Sequence, residues 1–249
     1  MGIWGWPWGR RGPSSFGGGS TAEEVTAGVD ASHLTAIVTG ATNGIGKETA
    51  RVLALRGAEV IIPARTLESG LKVKESLADQ VPGSKLHVME MDLSSLSSVR
   101  SFAQSFNSSH KHLSILMYIS FIAYSHSKLA NILHANELAR RFEEEGCNLT
   151  ANSLHPGVIL TNIVRYIASN RVLDPLRPVA KLFLKDIPQG AATTCYLALH
   201  PDLKDVSGKY FADCNEATPT AVARDAELAK KLWLFSEELV GTSAEQRPK

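Results

Sequence analysis

Cysteine is scarce in this sequence. Cys147, Cys195 and Cys214 are the three among 249 residues, and no C-x-x-C pair occurs. Neither a disulfide framework nor a cysteine zinc site is supported, and free thiols suit a reducing intracellular compartment. Charge of one sign is not in excess either. Lys plus Arg is 26 and Asp plus Glu is 25, a formal net charge of +1. That balance argues against a polybasic nucleic-acid binder and against an acidic tail protein. No run approaches about 18 uninterrupted apolar residues, so no membrane-spanning helix is expected. His126, His134 and His155 lack metal-ligand spacing with a carboxylate or thiol; each is expected as a surface or packing residue, and no metal is expected. What remains is ordinary globular composition, 44% hydrophobic and 20% charged, long enough for a substantial core.

The first 30 residues differ from the rest and read as a flexible Trp/Gly-rich segment. Three of the four tryptophans are Trp4, Trp6 and Trp8, followed by Arg10, Arg11 and the run Gly17-Gly18-Gly19. No apolar signal core is present. The segment is either a disordered tail or a foot on a membrane surface, where indoles favour the headgroup region and arginines attract anionic lipid. Thr21-Ala22-Glu23-Glu24 has capping-box spacing and predicts a short helix. From Leu34 onward strands and helices alternate. Strands are expected at 35–38, 59–64, 85–91, 113–117, 150–154 and 209–212, and helices at 44–56, 67–79, 94–106, 124–145 and 189–199. This pattern predicts an α/β domain over residues 31–242, with a doubly wound, Rossmann-like parallel sheet.

The strand at 35–38 runs into Thr39-Gly40-Ala41-Thr42-Asn43-Gly44-Ile45-Gly46, and a helix follows. Glycines here let the backbone approach a pyrophosphate, and the helix N-terminus supplies N–H groups and partial positive charge. The second strand ends at Arg65, where an acidic residue would select NAD; an arginine pairs a 2′-phosphate, so NADP(H) is expected, against the alternative of a solvated surface arginine. Asp92-Leu93 ends the third strand. Asp92 could accept from an adenine amino group or cap the next helix. Tyr124 and Lys128 are four residues apart and share one helix face. A phenol titrates near about 10, and a neighbouring cation lowers that value toward useful acid–base chemistry.

Thr39-Gly40-x-x-x-Gly44-x-Gly46, Asp92-Leu93, Tyr124-x-x-x-Lys128 and His155-Pro156-Gly157 together resemble the short-chain dehydrogenase/reductase superfamily over roughly residues 33–240. Gly44 to Arg51, His134 to Leu138 and Ala151 to Gly157 resemble its retinol-dehydrogenase-like branch. Residues 20–25 and 188–196 resemble plant members associated with the protein-import translocon of the chloroplast inner envelope. The resemblance implies an NADP(H)-dependent oxidoreductase acting on the alcohol or carbonyl group of a small hydrophobic substrate. Tyr124 and Lys128 would be catalytic. Thr39, Gly40, Asn43, Gly44, Ile45, Gly46, Arg65, Asp92, Leu93, Lys128, Pro156, Gly157, Val158 and Thr161 would bind the cofactor. It further implies a place on the stromal side of the inner envelope, regulation by redox state, and translocon subunits and calmodulin as partners.

One part of the family pattern is missing. The Asn-Asn-Ala-Gly turn, the helix with a catalytic asparagine and the strand ending in a catalytic serine have no counterpart. Six residues separate Met117 from Tyr124, whereas a βα crossover unit needs about 30. One helix–strand unit is expected to be lacking between residues 117 and 124, with the 150–154 strand pairing where the lost strand would have been. Ser120 is a weak substitute for the serine, four residues before Tyr124. Residues 163–185 carry Arg165, Arg171, Arg177, Lys181 and Lys185 among apolar residues, broken by Pro175 and Pro178. They read as a substrate lid, as a calmodulin or membrane site, or as neither.

Overall fold

A computed structural model describes residues 11–118, 126–157, 159 and 185–242. Trp4, Trp6, Trp8 and Arg10, and Arg165, Arg171, Arg177 and Lys181 of the basic stretch, lie outside the described residues. The elements run α1 Ala22–Val25, β1 Thr35–Val38, α2 Gly44–Leu55, β2 Glu59–Ala64, α3 Leu67–Gln80, β3 Lys85–Glu90, α4 Leu96–Ser109, β4 Ile115–Met117, α5 His126–Glu144, β5 Ser153–His155, α6 Ile187–Leu199, β6 Tyr210–Ala212, β7 Asn215–Glu216 and α7 Ala226–Thr242. They divide into two compact units. One holds the chain up to β4 together with 156–200 and 213–215; the other holds 126–155, 201–212 and the chain from 216. The sequence reading treats 31–242 as a single domain.

The first unit is built on a parallel sheet of order β3-β2-β1-β4. β2, in its middle, reads Glu-Val-Ile-Ile-Pro-Ala and is buried at every position after the first. Such a run, without polar alternation, is what a strand covered on both faces requires. Pro63 is tolerated there for a specific reason. The Glu59 N–H donates to the Leu34 carbonyl, so by two-residue alternation the Pro63 nitrogen also faces β1. β1 stops pairing at Ile37–Ile61, and the missing donor costs no ladder bond. The core has one layer of Val38, Leu53, Val60, Ile62, Leu77 and Leu86. A second layer of Ile37, Ile61, Met91, Phe102 and Phe106 joins α4 to the sheet.

α6 packs against both α1 and α2. Its face from Gly190 to Cys195 is wholly buried, and small residues there let helix backbones come close. Residues 11–30, expected to be flexible, are instead packed. Thr21 and Glu24 complete the predicted capping box, and Ala22, Val25 and Thr26 are buried. The Phe16 ring meets Tyr196 edge-on at 5.7 Å. Asn215 accepts from the Ser14 N–H at 3.1 Å and donates to the Phe16 carbonyl at 3.0 Å. Composition hides this, because one aromatic side chain and one asparagine fix a glycine-rich backbone. Burial pushes the Cys195 thiol up, and that of Cys214 up to about 11, so neither is a reactive thiolate.

The second unit pairs α5 with α7, a helix the sequence reading leaves out. His134 stacks on Trp233 at 4.8 Å, and the Arg141 guanidinium sits 4.4 Å over the same ring. The expectation for the 150–154 strand is corrected. β5 pairs in parallel with β6, Ser153 opposite Tyr210, and among the described residues β4 pairs with β1 alone. Asn152 sets this choice: its amide donates to the Val206 carbonyl at 2.7 Å and accepts from the Lys209 N–H at 3.0 Å. These two bonds hold β5 at the start of β6.

Glu137 is the buried charge of this unit, 2% exposed. Arg140 donates to it at 2.6 and 2.8 Å and Arg141 at 2.9 Å. Those hydrogen bonds, Arg140 first, hold its carboxyl at about 2 against the opposing effect of burial. The folded value lies below the ordinary 4.5, so the stability it contributes is complete above that value and is lost as pH falls toward about 2. Glu137→Gln is expected to lower the thermal midpoint at neutral pH and to flatten this acid limb. Thermal melts between pH 2 and pH 7 check it; an unchanged limb overturns the assignment.

Candidate nucleotide-binding site

β1, β2 and β3 point their C-terminal ends the same way, and a different short segment follows each. After β1 comes Thr39. Its N–H and hydroxyl both donate to the Met117 carbonyl of β4, at 3.0 and 3.2 Å, which pins the loop as it leaves the sheet. Gly40 and Gly44 then adopt φ of 66° and 56°, a region costly to residues with a Cβ. Gly46 answers a different need. A Cβ there would collide with the Gly40 carbonyl, so the first turn of α2 lies directly on the loop.

Asn43 is the N-cap of α2, and its side chain accepts from the Gly44 N–H at 2.7 Å. The first turn of α2 carries no acidic residue, so its partial positive charge is not cancelled locally. Space beside Gly44 is open, with nothing within 4 Å of where a Cβ would sit. Ile45 is buried and anchors the turn. A bare helix N-terminus under a loop too tight for side chains fits a nucleotide phosphate.

Arg65 follows β2 directly and is exposed. Asp92 follows β3. Its carboxylate accepts from the Ser94 N–H at 2.9 Å and the Ser94 hydroxyl at 2.8 Å. These bonds, with the nearby Arg65 charge, hold it below the usual carboxylate range. The helix-cap alternative for Asp92 is corrected, because Ser95 caps α4 and accepts from the Ser98 N–H. Asp92 instead closes a turn, and its own N–H donates to the Ser98 hydroxyl at 2.9 Å. Sequence reasoning missed Ser94 and Ser98; the Asp-x-Ser spacing of such a turn was the available signal. Leu93 is exposed beside them.

The structure therefore brings Thr39, Gly40, Asn43, Gly44, Ile45, Gly46, Arg65, Asp92 and Leu93 to one edge of one sheet, where α/β folds bind ligands. Pro156 and Gly157 follow β5, and Gly157 has φ of 89° with the Lys185 side chain against it. Lys185, counted with the basic stretch, is paired with Asp213 and is not free for an acidic partner. Lys128 lies in the first turn of α5. Tyr124, Ser120, Val158 and Thr161 lie outside the described residues.

The two α2 glycines are predicted to respond differently. Gly44→Ala meets open space and costs about 1 kcal/mol for its left-handed backbone. Gly46→Ala forces backbone apart and costs about 3 kcal/mol. Urea denaturation of both variants measures the difference; equal midpoints overturn the close-approach reading.

The family model described as short chain dehydrogenase matches residues 34–119. The chain is 39% identical to short-chain dehydrogenase TIC 32 A, chloroplastic, of Brassica napus, over 96% of this chain and 99% of that protein. It is 32% identical to retinol dehydrogenase 12 of Mus musculus, over 82% of this chain and 85% of that protein. An NADPH-bound short chain oxidoreductase with an atypical catalytic center from Pseudomonas aeruginosa PAO1 shares the fold, with TM-score 0.60 and 18% identity over 74% of this chain and 96% of that one. The TIC 32 A alignment spans 318 positions against 249 residues, so at least 318 − 249 = 69 of them have no counterpart here. A doubly wound parallel sheet, its glycine loop and this identity along nearly the whole length agree: the chain belongs to the short-chain dehydrogenase family of oxidoreductases.

Proposed function

We propose that this chain is an NADP(H)-dependent short-chain dehydrogenase acting on an alcohol or carbonyl group. The observation that carries the cofactor reading is the edge where the Gly40–Gly46 loop, Arg65 and Asp92 end three adjacent parallel strands. The loop and the α2 N-terminus hold the pyrophosphate. Arg65, exposed and with a planar fork of donors, takes the 2′-phosphate, while Asp92, held by Ser94, is placed for the adenine side. The nicotinamide supplies or accepts hydride when bound. Tyr124 gives or takes the proton at the substrate oxygen, and Lys128 favours its phenolate and holds ribose hydroxyls. Likeness to TIC 32 proteins named as chloroplastic supports a place in the chloroplast; the stromal side of the inner envelope, a link to protein import, and translocon subunits and calmodulin as partners are part of the same proposal.

A second reading has its own support. Six residues separate Met117 from Tyr124, the family match stops at residue 119, and β5 pairs with β6. A chain lacking a helix–strand unit also lacks the serine donor to a developing oxyanion. A displacement of 1 Å in such a site costs roughly a hundredfold in rate. On this reading the protein senses nucleotide or serves as a scaffold, with little turnover.

Thermal unfolding with NADPH, and with NADH as control, tests the cofactor. NADPH at about 100 times its dissociation constant should add roughly 2.7 kcal/mol of stability. Arg65→Ala should cost NADPH about ten- to a hundredfold in affinity and leave NADH unchanged. No shift with either nucleotide overturns the proposal. Turnover near about 10 per second on any alcohol or carbonyl overturns the low-activity reading.

A further inference from the structure

At the end of the strands away from the glycine loop, three side chains from three elements converge. Glu59 opens β2, His87 lies on β3, and His110 is the C-cap of α4. Their ligand atoms all lie within 4.8 Å of one another. The His87 Nε2 is 2.9 Å from the Glu59 Oε1, and the His110 Nε2 is 3.9 Å from the same oxygen. We propose that Glu59, His87 and His110 form a binding site for a late first-row divalent cation, zinc above all.

Three features support this beyond proximity. The first is orientation of the carboxylate. The Thr35 hydroxyl donates to the Glu59 Oε2 at 3.1 Å, which leaves Oε1 turned to the imidazoles. Outer hydrogen bonds of this kind orient metal ligands. The second is how the His110 ring is held. Ser109 Oγ donates its one proton to the Ser105 carbonyl at 2.8 Å. The same hydroxyl lies 2.9 Å from His110 Nδ1, so that ring nitrogen already has a hydrogen-bond partner. The other ring nitrogen, Nε2, is the one on the Glu59 side, 3.9 Å from Oε1, and is the nitrogen available to a metal. The third is rigidity. The His110 ring stacks on buried Phe106, 4.8 Å away and 6° from parallel, and meets His87 edge-on at 5.7 Å.

The donor set selects the metal. Two imidazoles and one carboxylate suit zinc and its neighbours rather than calcium or magnesium, which prefer all-oxygen sites. Tetrahedral zinc with bonds of about 2.0–2.1 Å spaces its ligands about 3.4 Å apart, so modest rotations of the His87 and Glu59 side chains would complete the geometry. The groove here has a volume of about 500 Å³ and is lined also by His33, Lys111 and His112. Four of the chain's eight histidines thus gather in one place. Three protein ligands leave a fourth position for water or for His112. Bound metal would clip β2 to β3 and to the end of α4.

Zinc chloride titrated by calorimetry into the full chain tests the proposal, with cobalt as a spectroscopic substitute. One saturable equivalent is expected, with a rise in thermal midpoint and the visible bands of tetrahedral cobalt. His110→Phe keeps the stack on Phe106 and removes the ligand; His87→Gln and Glu59→Gln remove the other two. Each should weaken binding at least tenfold, and Thr35→Val should weaken it about tenfold through Glu59. Circular dichroism of each variant confirms folding independently of metal. No saturation up to about 1 mM metal, or affinity unchanged from the unsubstituted chain in the ligand variants, overturns the site.

Discussion

Everything at the nucleotide-binding edge depends on how closely α2 lies on the loop that precedes it. Gly46 has no Cβ, so its backbone rests on the Gly40 carbonyl. That contact fixes the distance from the end of β1 to the start of α2. It thereby sets where the helix N-terminus points and how Ile45, Val52 and Leu53 enter the core. The Thr39 bonds to Met117 fix the other side of the loop. A helix anchored by one glycine and a loop anchored by one carbonyl leave little freedom between them. Preorganised donors of this kind bind anions without reorganising first.

The cofactor half of the fold was legible because its signals are local. Glycines at 40, 44 and 46, the buried run of β2 and the Thr21–Glu24 capping box each declare themselves within a few residues. Helix and strand bounds there agree with expectation to within a few positions. The losses came where distant residues decide. The partner of β5 rests on Asn152 reaching Val206 and Lys209. The order of residues 11–20 rests on Phe16 and Asn215. Neither is visible in periodicity. α7 was missed although its Trp233 organises α5. His33, His87 and the His110/His112 pair are far apart in sequence, so spacing could not unite the three.

The two units hold charge in different ways. Glu137 is buried and answered by two arginines on its own helix, an arrangement fixed within one and a half turns. Glu59 is only half-buried and faces groups from β1, β3 and α4. The first stabilises one helix locally. The second draws side chains of separate elements to one carboxylate.

The Ser14–Asn215 contact spans 201 positions of chain. Closing so long a loop costs entropy that a local helix never meets, and during synthesis Asn215 emerges only after most of the chain has been made. β1, α2, β2, α3 and β3 follow one another in sequence and can assemble as they appear. The segment around Phe16 must wait for Tyr196 and Asn215. Ser14 finds this partner only after a further 201 positions have been made.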